Sequence, residues 1–455
     1  MMAGQSRSPD ALDVFRQFFA LERDVLILSI AMFAFSLGFQ MTSRYLPEYM
    51  VALGASTAVV GLYGTISNLL SALYPYPGGV LSDRIGSRYA LPLFGALSAV
   101  GFTIWLLAPT LGSLAIPAIF LGLLFAQAWK SFGLGATFAV VKQSVPPSRL
   151  AAGFASTETF RRTAFLIGPL LAAGLFATVG TGSTESMADG AVIEAFSAVL
   201  AVAAGVALLG TIAQHLLYDS AGDSLGKRFE GPTQLRSDLQ ELPLELRPLL
   251  IGDTLVRFAN GMVYVFFVLV VTRLLSVGFA AEVPILGWVS LSPQAYFGVL
   301  LGIEMAVALL TMVPVAKLAE RVGLKPVVAL GFGIYAIFPA LLISAPADAG
   351  VLAALFAFSG LRFAGLPAHK ALVVGPAERA ASGRVTGAYY LLRNVVVIPS
   401  AALGAVLYSG LALPGFGRVV AGSPTLAFGV ATVIGLLGTG YFLARGEEFG
   451  PYANS

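Results

Sequence analysis

Runs of mostly apolar residues recur twelve times along the chain, near positions 25–46, 57–80, 90–108, 114–141, 150–179, 191–218, 248–272, 294–316, 327–345, 350–374, 385–411 and 425–444. A helix of about 20 such residues crosses the hydrocarbon core of a bilayer, so the pattern predicts twelve transmembrane helices. The runs show none of the strict apolar–polar alternation that a membrane barrel needs, and the expected fold is an all-α membrane protein. A polar stretch at 219–247 separates two sets of six runs, giving expected six-helix bundles at 25–218 and 248–445, flanked by an N-terminal segment at 1–24 and a tail at 446–455. Phe15, Phe18 and Phe19 before the first run, and Leu235, Leu239, Leu242 and Leu246 in the linker, have the spacing of short amphipathic helices lying on the membrane surface.

Composition agrees with this pattern. Hydrophobic residues make up 57% of the 455 and charged residues 11%, where soluble domains carry roughly 25% charged residues; mean hydropathy is +0.85. So little polar surface cannot cover a globule in water, whereas a bilayer favours apolar exteriors and closed backbone hydrogen bonding. With both termini in the cytoplasm, seventeen basic residues fall in inside segments and only Arg44, Arg273 and Arg418 outside. The positive-inside rule then predicts a multi-pass protein of the cell membrane in that orientation. The pI near 9.0 reflects this topology, since the basic residues are spread out and form no nucleic-acid patch. There is no cysteine, and His215 and His369 are the only histidines, so neither a disulfide, a metal site nor a cofactor is expected. No Walker loop, metal triad or GxSxG element suggests an enzyme.

The two sets of runs are related by a shift of 237 residues, which matches Gly61 with Gly298, Pro77 with Pro314, Leu81 with Leu318, Arg84 with Arg321 and Gly86 with Gly323, and sets Asp83 against Glu320. FSLG at 35–38 and FANG at 258–261 form a looser pair, as do PPSR at 146–149 and PAER at 376–379. Each repeat holds an even number of spans, so the expected bundles are pseudo-symmetric about an axis along the membrane normal. Substrate sites in such folds lie near the midplane between the halves, which rock to alternate access.

The loop GGVLSDRIGSR at 78–88, with its worn copy AKLAERVGLK at 316–325, resembles the signature of the major facilitator superfamily, and the resemblance extends over the whole chain. It implies a secondary transporter working as a monomer on a small-molecule substrate. It also implies a gate made of Gly79, Asp83, Arg84, Gly86 and Arg88, repeated at Glu320, Arg321, Gly323 and Lys325. In this resemblance Asp83 latches the inner face, with Lys142 and the helix start near Gly383 as its partners. GPLLAAG at 168–174 resembles a motif of the drug/proton antiporter branch, although Ala172 and Ala173 stand where that branch often has glycine.

Ten charged residues stand out as candidates at bilayer depth: Lys130, Glu158, Arg161, Arg162, Asp253, Arg257, Glu304, Arg362, Lys370 and Arg393. Such residues usually face a cavity or a partner, and seven basic against three acidic suits an anionic substrate. Glu158 and Arg162, like Asp253 and Arg257, are four apart and can neutralise each other on one helix. Arg362 and Lys370 are expected to snorkel toward headgroups, and His369 reads as a helix-packing or polar-contact residue, with substrate or proton work as the lesser alternative. Glu304 has no cation three or four positions away. A buried carboxylate without a fixed cation protonates more readily, so Glu304 is the first expected proton-coupling residue, followed by Asp253 and Glu158, with Arg257 as an exchanging cation. The first run holds no carboxylate. Lys130, Arg161, Arg162, Asn260, Arg362, Arg393 and Asn394 are expected to bind substrate, with Tyr389, Tyr390 and Trp129 as stacking surfaces. The combined expectation is proton-coupled efflux of a small amphipathic or anionic organic molecule. Uptake of an organic anion by symport or uniport is the alternative, and a non-transporting receptor with the same fold ranks below both.

Overall fold

The computed structural model of the chain describes residues 23–132, 150–179, 184–218, 242–284, 287–374, 382–413 and 417–448. The first half contains α1 (Arg23–Ser43), α2 (Leu46–Ala52), α3 (Thr57–Leu73), α4 (Pro75–Ile85), α5 (Ser87–Leu107), α6 (Ala115–Ala126), α7 (Leu150–Val179) and α8 (Asp189–Leu217). The second contains α9 (Arg247–Val263), α10 (Pro293–Val322), α11 (Leu324–Ile343), α12 (Ala349–Gly360), α13 (Leu366–Val374), α14 (Ser382–Val397), α15 (Ser400–Ser409) and α16 (Pro424–Arg445). Among the described residues ten helical stretches are long and apolar enough to cross a membrane. One of them, Ser87–Phe132, turns at Gly112 (φ 55°), where α5 gives way to α6. Thr57–Leu73 is apolar but shorter.

Helix starts are set by local chemistry. The side chains of Ser56, Ser292, Asp348 and Ser423 accept the orphan N–H of Val59, Ala295, Val351 and Leu426. Pro293 and Pro424 occupy first-turn positions where no N–H is needed. The all-α fold carries two short hairpins in its connectors. Phe279–Val283 (β1) pairs antiparallel with Gly287–Leu291 (β2), and Leu411–Leu413 (β3) with Gly417–Val420 (β4). Both lie at one end of the molecule, here the hairpin end; the opposite end carries the α4–α5 and α10–α11 turns and is the linker end. Of the linker leucines, Leu242 and Leu246 are buried in the second-half core, next to Leu249 and Phe442. Leu235 and Leu239 lie outside the described residues, as do Phe15, Phe18 and Phe19.

The repeat is visible in the backbone. Gly86 (φ 83°) and Gly323 (φ 94°) hold the same left-handed turn and send their N–H groups to Ser82 and Ala319, a conformation glycine adopts without strain. Gly61 and Gly298 both lie where the halves meet. A Cβ at Gly61 would run into Ala405 on α15, and one at Gly298 into Pro169, Ala173 and the Tyr45 hydroxyl. Small residues let helix backbones approach within a bilayer. The two copies therefore seal α3 against α15 and α10 against α7, and the larger buried core runs through both halves at this end.

Gly61→Val and Gly298→Val are each expected to pry the hairpin end apart. The chain has no native cysteine, so an Ala295→Cys reporter at a fully buried position should react with a bulky maleimide several-fold faster in either variant. Unchanged labelling would show that this end is held by other contacts.

Candidate functional site

A cavity of about 450 Å³ lies between the halves. The first half contributes Phe39 on α1 and Arg44 just after it, Ser67 and Asn68 on α3, Lys130, and Arg161, Arg162 and Phe165 on α7. The second contributes Arg257 and Asn260 on α9, Tyr264, Glu304 on α10, Tyr335 on α11, Arg362, and Arg393 and Asn394 on α14. A chamber of about 280 Å³, lined by Asn68, Ser71, Pro75, Lys130 and Arg393, continues it down α3 toward the linker end. Among the described residues, seven cationic side chains line the main cavity against a single carboxylate, Glu304.

Glu304 is 2% exposed. Gly360 lets α12 pack directly on the Glu304 backbone, which brings two donors to its carboxylate: Ser359 Oγ at 2.5 Å and Arg362 Nη2 at 2.8 Å. Arg44 approaches from the first half at 3.9 Å, its guanidinium 3.9 Å above the Tyr264 ring. Arg362 lies over the rings of Tyr335 and Phe363 at 4.6 and 4.7 Å, and its Nε and Nη1 have no hydrogen-bond partner among the described residues.

Asp253 is fully buried and more heavily subscribed. Arg257 one turn along α9 reaches Oδ1 at 3.3 Å, while Arg393 Nη1 and His369 Nε2 reach Oδ2 at 3.1 and 3.2 Å. The Tyr389 hydroxyl adds a hydrogen bond of 3.1 Å. Arg393 also donates to Asn394 Oδ1 from Nε and Nη2 and lies 4.7 Å above the Tyr390 ring. Tyr335 joins the two clusters: Arg257 donates to its hydroxyl at 3.0 Å, and Arg362 covers its ring.

Several sequence expectations change here. Glu304 is not a lone carboxylate; its partners come from α12 and from the end of α1, which spacing within one helix cannot reveal. Arg362 does not snorkel, being 3% exposed beside Glu304, whereas Lys370 is exposed. Arg44, assigned to the outer surface, faces the cavity. Tyr389 is completely buried behind Asp253, so it does not stack on substrate. Trp129 packs on Phe35 at 4.5 Å in the first-half core. His369 makes a polar contact, to Asp253. Lys130, Arg161, Arg162, Asn260, Arg393 and Asn394 do line the cavity. Lys130 faces it with its ammonium 4.0 Å above the Phe39 ring, and it forms no ion pair among the described residues. Of the proposed gate, Arg84, Arg88 and Arg321 are exposed. The Lys325 N–H, with that of Leu324, is capped by the Glu448 carboxylate from beyond α16 at 2.8 and 3.0 Å. Lys142 and the side chains of Asp83, Glu320 and Glu158 lie outside the described residues, as does the side-chain environment at Gly79.

Sequence reasoning missed a clasp at the hairpin end. Glu48 on α2 is 0% exposed and accepts hydrogen bonds from Arg273 Nε at 3.0 Å, Thr272 Oγ1 at 2.9 Å and Gln294 Nε2 at 3.3 Å, all second-half groups. Arg273 reaches back to Asp189 at 2.6 Å, and Gln294 donates to Ser186 at 3.1 Å. Burial pushes the Glu48 carboxyl above the usual carboxylate range, against the pull of Arg273. The one signal was a glutamate directly after the first apolar run, in LPEYM, which reads as loop.

Residues 28–294 match the profile of the Major Facilitator Superfamily. The chain belongs to this superfamily. Among curated superfamily proteins, an uncharacterized MFS-type transporter of Mycobacterium tuberculosis, Rv0849, is 28% identical over 168 residues, which is 36% of this chain and only 37% of that protein. The nucleoside transporter NupG superposes with a TM-score of 0.71 at 13% identity, over 93% of this chain and 100% of that one. A POT family transporter solved with 5-aminolevulinic acid gives 0.72 at 12%, over 94% and 99%. At such identities the likeness concerns the fold, and this superfamily member is a transporter rather than an enzyme.

Removing one partner of a buried ion pair leaves an uncompensated charge and costs about 3–5 kcal/mol. Arg362→Leu should therefore lower thermal stability sharply, while Arg362→Leu with Glu304→Gln should recover most of the loss. Thermal unfolding of the purified variants checks this, and equal destabilisation by the single and double variants would show the pair to be incidental.

Proposed function

We propose that this transporter moves a small organic anion together with protons across the cell membrane by alternating access. The observation carrying this reading is the charge of the central cavity, with seven cations against one carboxylate. The aromatic faces of Phe39, Phe165, Tyr264 and Phe297 among the lining residues favour an amphipathic anion with an apolar body. A volume of about 450 Å³ lies within the ordinary range for small-molecule sites.

The asymmetry of basic residues supports the hairpin end as the outer one, so the conformation is closed outside and wet toward the cytoplasm. Outward opening then requires the Glu48–Arg273 clasp to part. Exchange of substrate for a proton at one shared carboxylate, as the drug/proton branch suggests, would need a carboxylate without fixed cations. Among the described cavity residues Glu304 is already held by Arg362 and Arg44. An anion and a proton have opposite charges and strengthen each other's binding, and such coupling is reciprocal. That favours cotransport, with uptake along an inward proton gradient.

Proteoliposomes tested with a panel of radiolabelled aromatic and aliphatic carboxylates should show uptake that rises several-fold when the outside is made acidic. Lys130→Ala should weaken apparent affinity about tenfold or more, the effect of one charge-assisted hydrogen bond. Transport of organic cations with no carboxylate uptake would overturn the reading.

A further inference from the structure

We infer that His369 carries the coupling proton and that Asp253 makes its protonation depend on the bound anion. The inference rests on the anion–proton reading above and assigns the proton's seat within it. Asp253 is the meeting point. Its Oδ2 takes both Arg393 Nη1 (3.1 Å) and His369 Nε2 (3.2 Å), while Oδ1 takes Arg257 (3.3 Å). Arg393 and Arg257 also line the substrate cavity, whereas His369 and Tyr389 stand behind it, 4% and 0% exposed. An anion seated on the two arginines shares guanidinium charge that otherwise belongs to Asp253. The carboxylate is then short of positive charge, and a proton on the neighbouring imidazole restores it.

The charged and titratable groups facing His369 are Asp253 and Arg257 from α9, Tyr335 from α11, and Tyr389 and Arg393 from α14. Arg362 and Lys370 lie along its own segment, and Glu304 of α10 acts through Arg362. The carboxylates of this set are already held by arginines, and imidazole is the side chain whose charge ordinarily changes between pH 5 and 8. Nε2 faces the Asp253 carboxylate, which accepts but does not donate; the neutral ring therefore carries its hydrogen at Nε2, and the incoming proton, taken from water, forms an N–H bond at Nδ1 and leaves as the anion is released. A small side chamber of about 10 Å³, lined by Arg257, Tyr335, Arg362 and His369, has room for about one water to deliver it.

The chain has two histidines, and His215→Gln leaves His369 as the sole imidazole. Nitrogen-15 NMR of the full chain in nanodiscs should then show the imidazole changing charge between pH 5 and 8. At pH 7 the charged form should grow when Arg393→Gln removes one cation from Asp253, and vanish in Asp253→Asn. In parallel, labelling of Ala295→Cys, normalised to an exposed Glu282→Cys reference, should change several-fold between pH 8 and pH 5.5 in the otherwise unaltered chain and lose that dependence with His369→Gln. An imidazole indifferent to Arg393→Gln overturns the inference. So does pH-dependent labelling that survives His369→Gln but disappears in Glu48→Gln, which would seat the proton at the clasp. If the unaltered chain labels alike at both pH values and carboxylate uptake ignores the gradient, proton coupling itself falls, and the assignment with it.

Discussion

A charge withdrawn from water into the membrane interior persists only where opposite charge and hydrogen bonds replace the lost solvent. The central part of this protein is arranged around that constraint. Glu304 and Asp253 are buried to the last few per cent, and each is met by more than one cation, drawn from helices far apart in the sequence. The surplus is positive, and it faces the central cavity rather than lipid. A cavity wall built in this way carries a surplus of positive charge among its described residues, and the anion site proposed above rests on that surplus.

The second element of the design is a seal that can be undone. At the hairpin end the duplicated glycines Gly61 and Gly298 bring α3 onto α15 and α10 onto α7, where close packing excludes water without any polar contact. Glu48 adds a directional component, since its hydrogen bonds run from the first half to Arg273, Thr272 and Gln294 of the second. Tyr45 reinforces it by donating to the Gln294 carbonyl at 3.0 Å while stacking on Phe176. An apolar contact and an ion pair that water can solvate once parted both have alternatives in water, which suits this end to the opening proposed above. The buried clusters around Asp253 lie within the second half and can stay intact through such a motion.

The repeat shows how far pattern reaches. The shift that aligns Gly61 with Gly298 and Gly86 with Gly323 is a property of the sequence, and in the fold the first pair became interface contacts and the second matching left-handed turns. Lys130, Asn260 and Arg393 were legible as cavity residues because a polar group in an apolar run has few other places to go. Glu304 was legible as unusual but not as paired. Glu48 and Arg44 escaped because they lie at or just past the outer end of the first run, where a charged residue ordinarily faces water.

By itself, then, the sequence determined the solvent, the helical class, the duplication and the family, since these depend on the local density and period of apolar residues and on short motifs that act where they stand. Tertiary structure alone decided which cation answers which carboxylate, that His369 touches Asp253, and that Glu48 closes one end. Those are distances between residues as far apart along the chain as Arg44 and Glu304. No periodicity along a chain encodes them, because an ionic contact depends on how whole helices pack and turn toward one another.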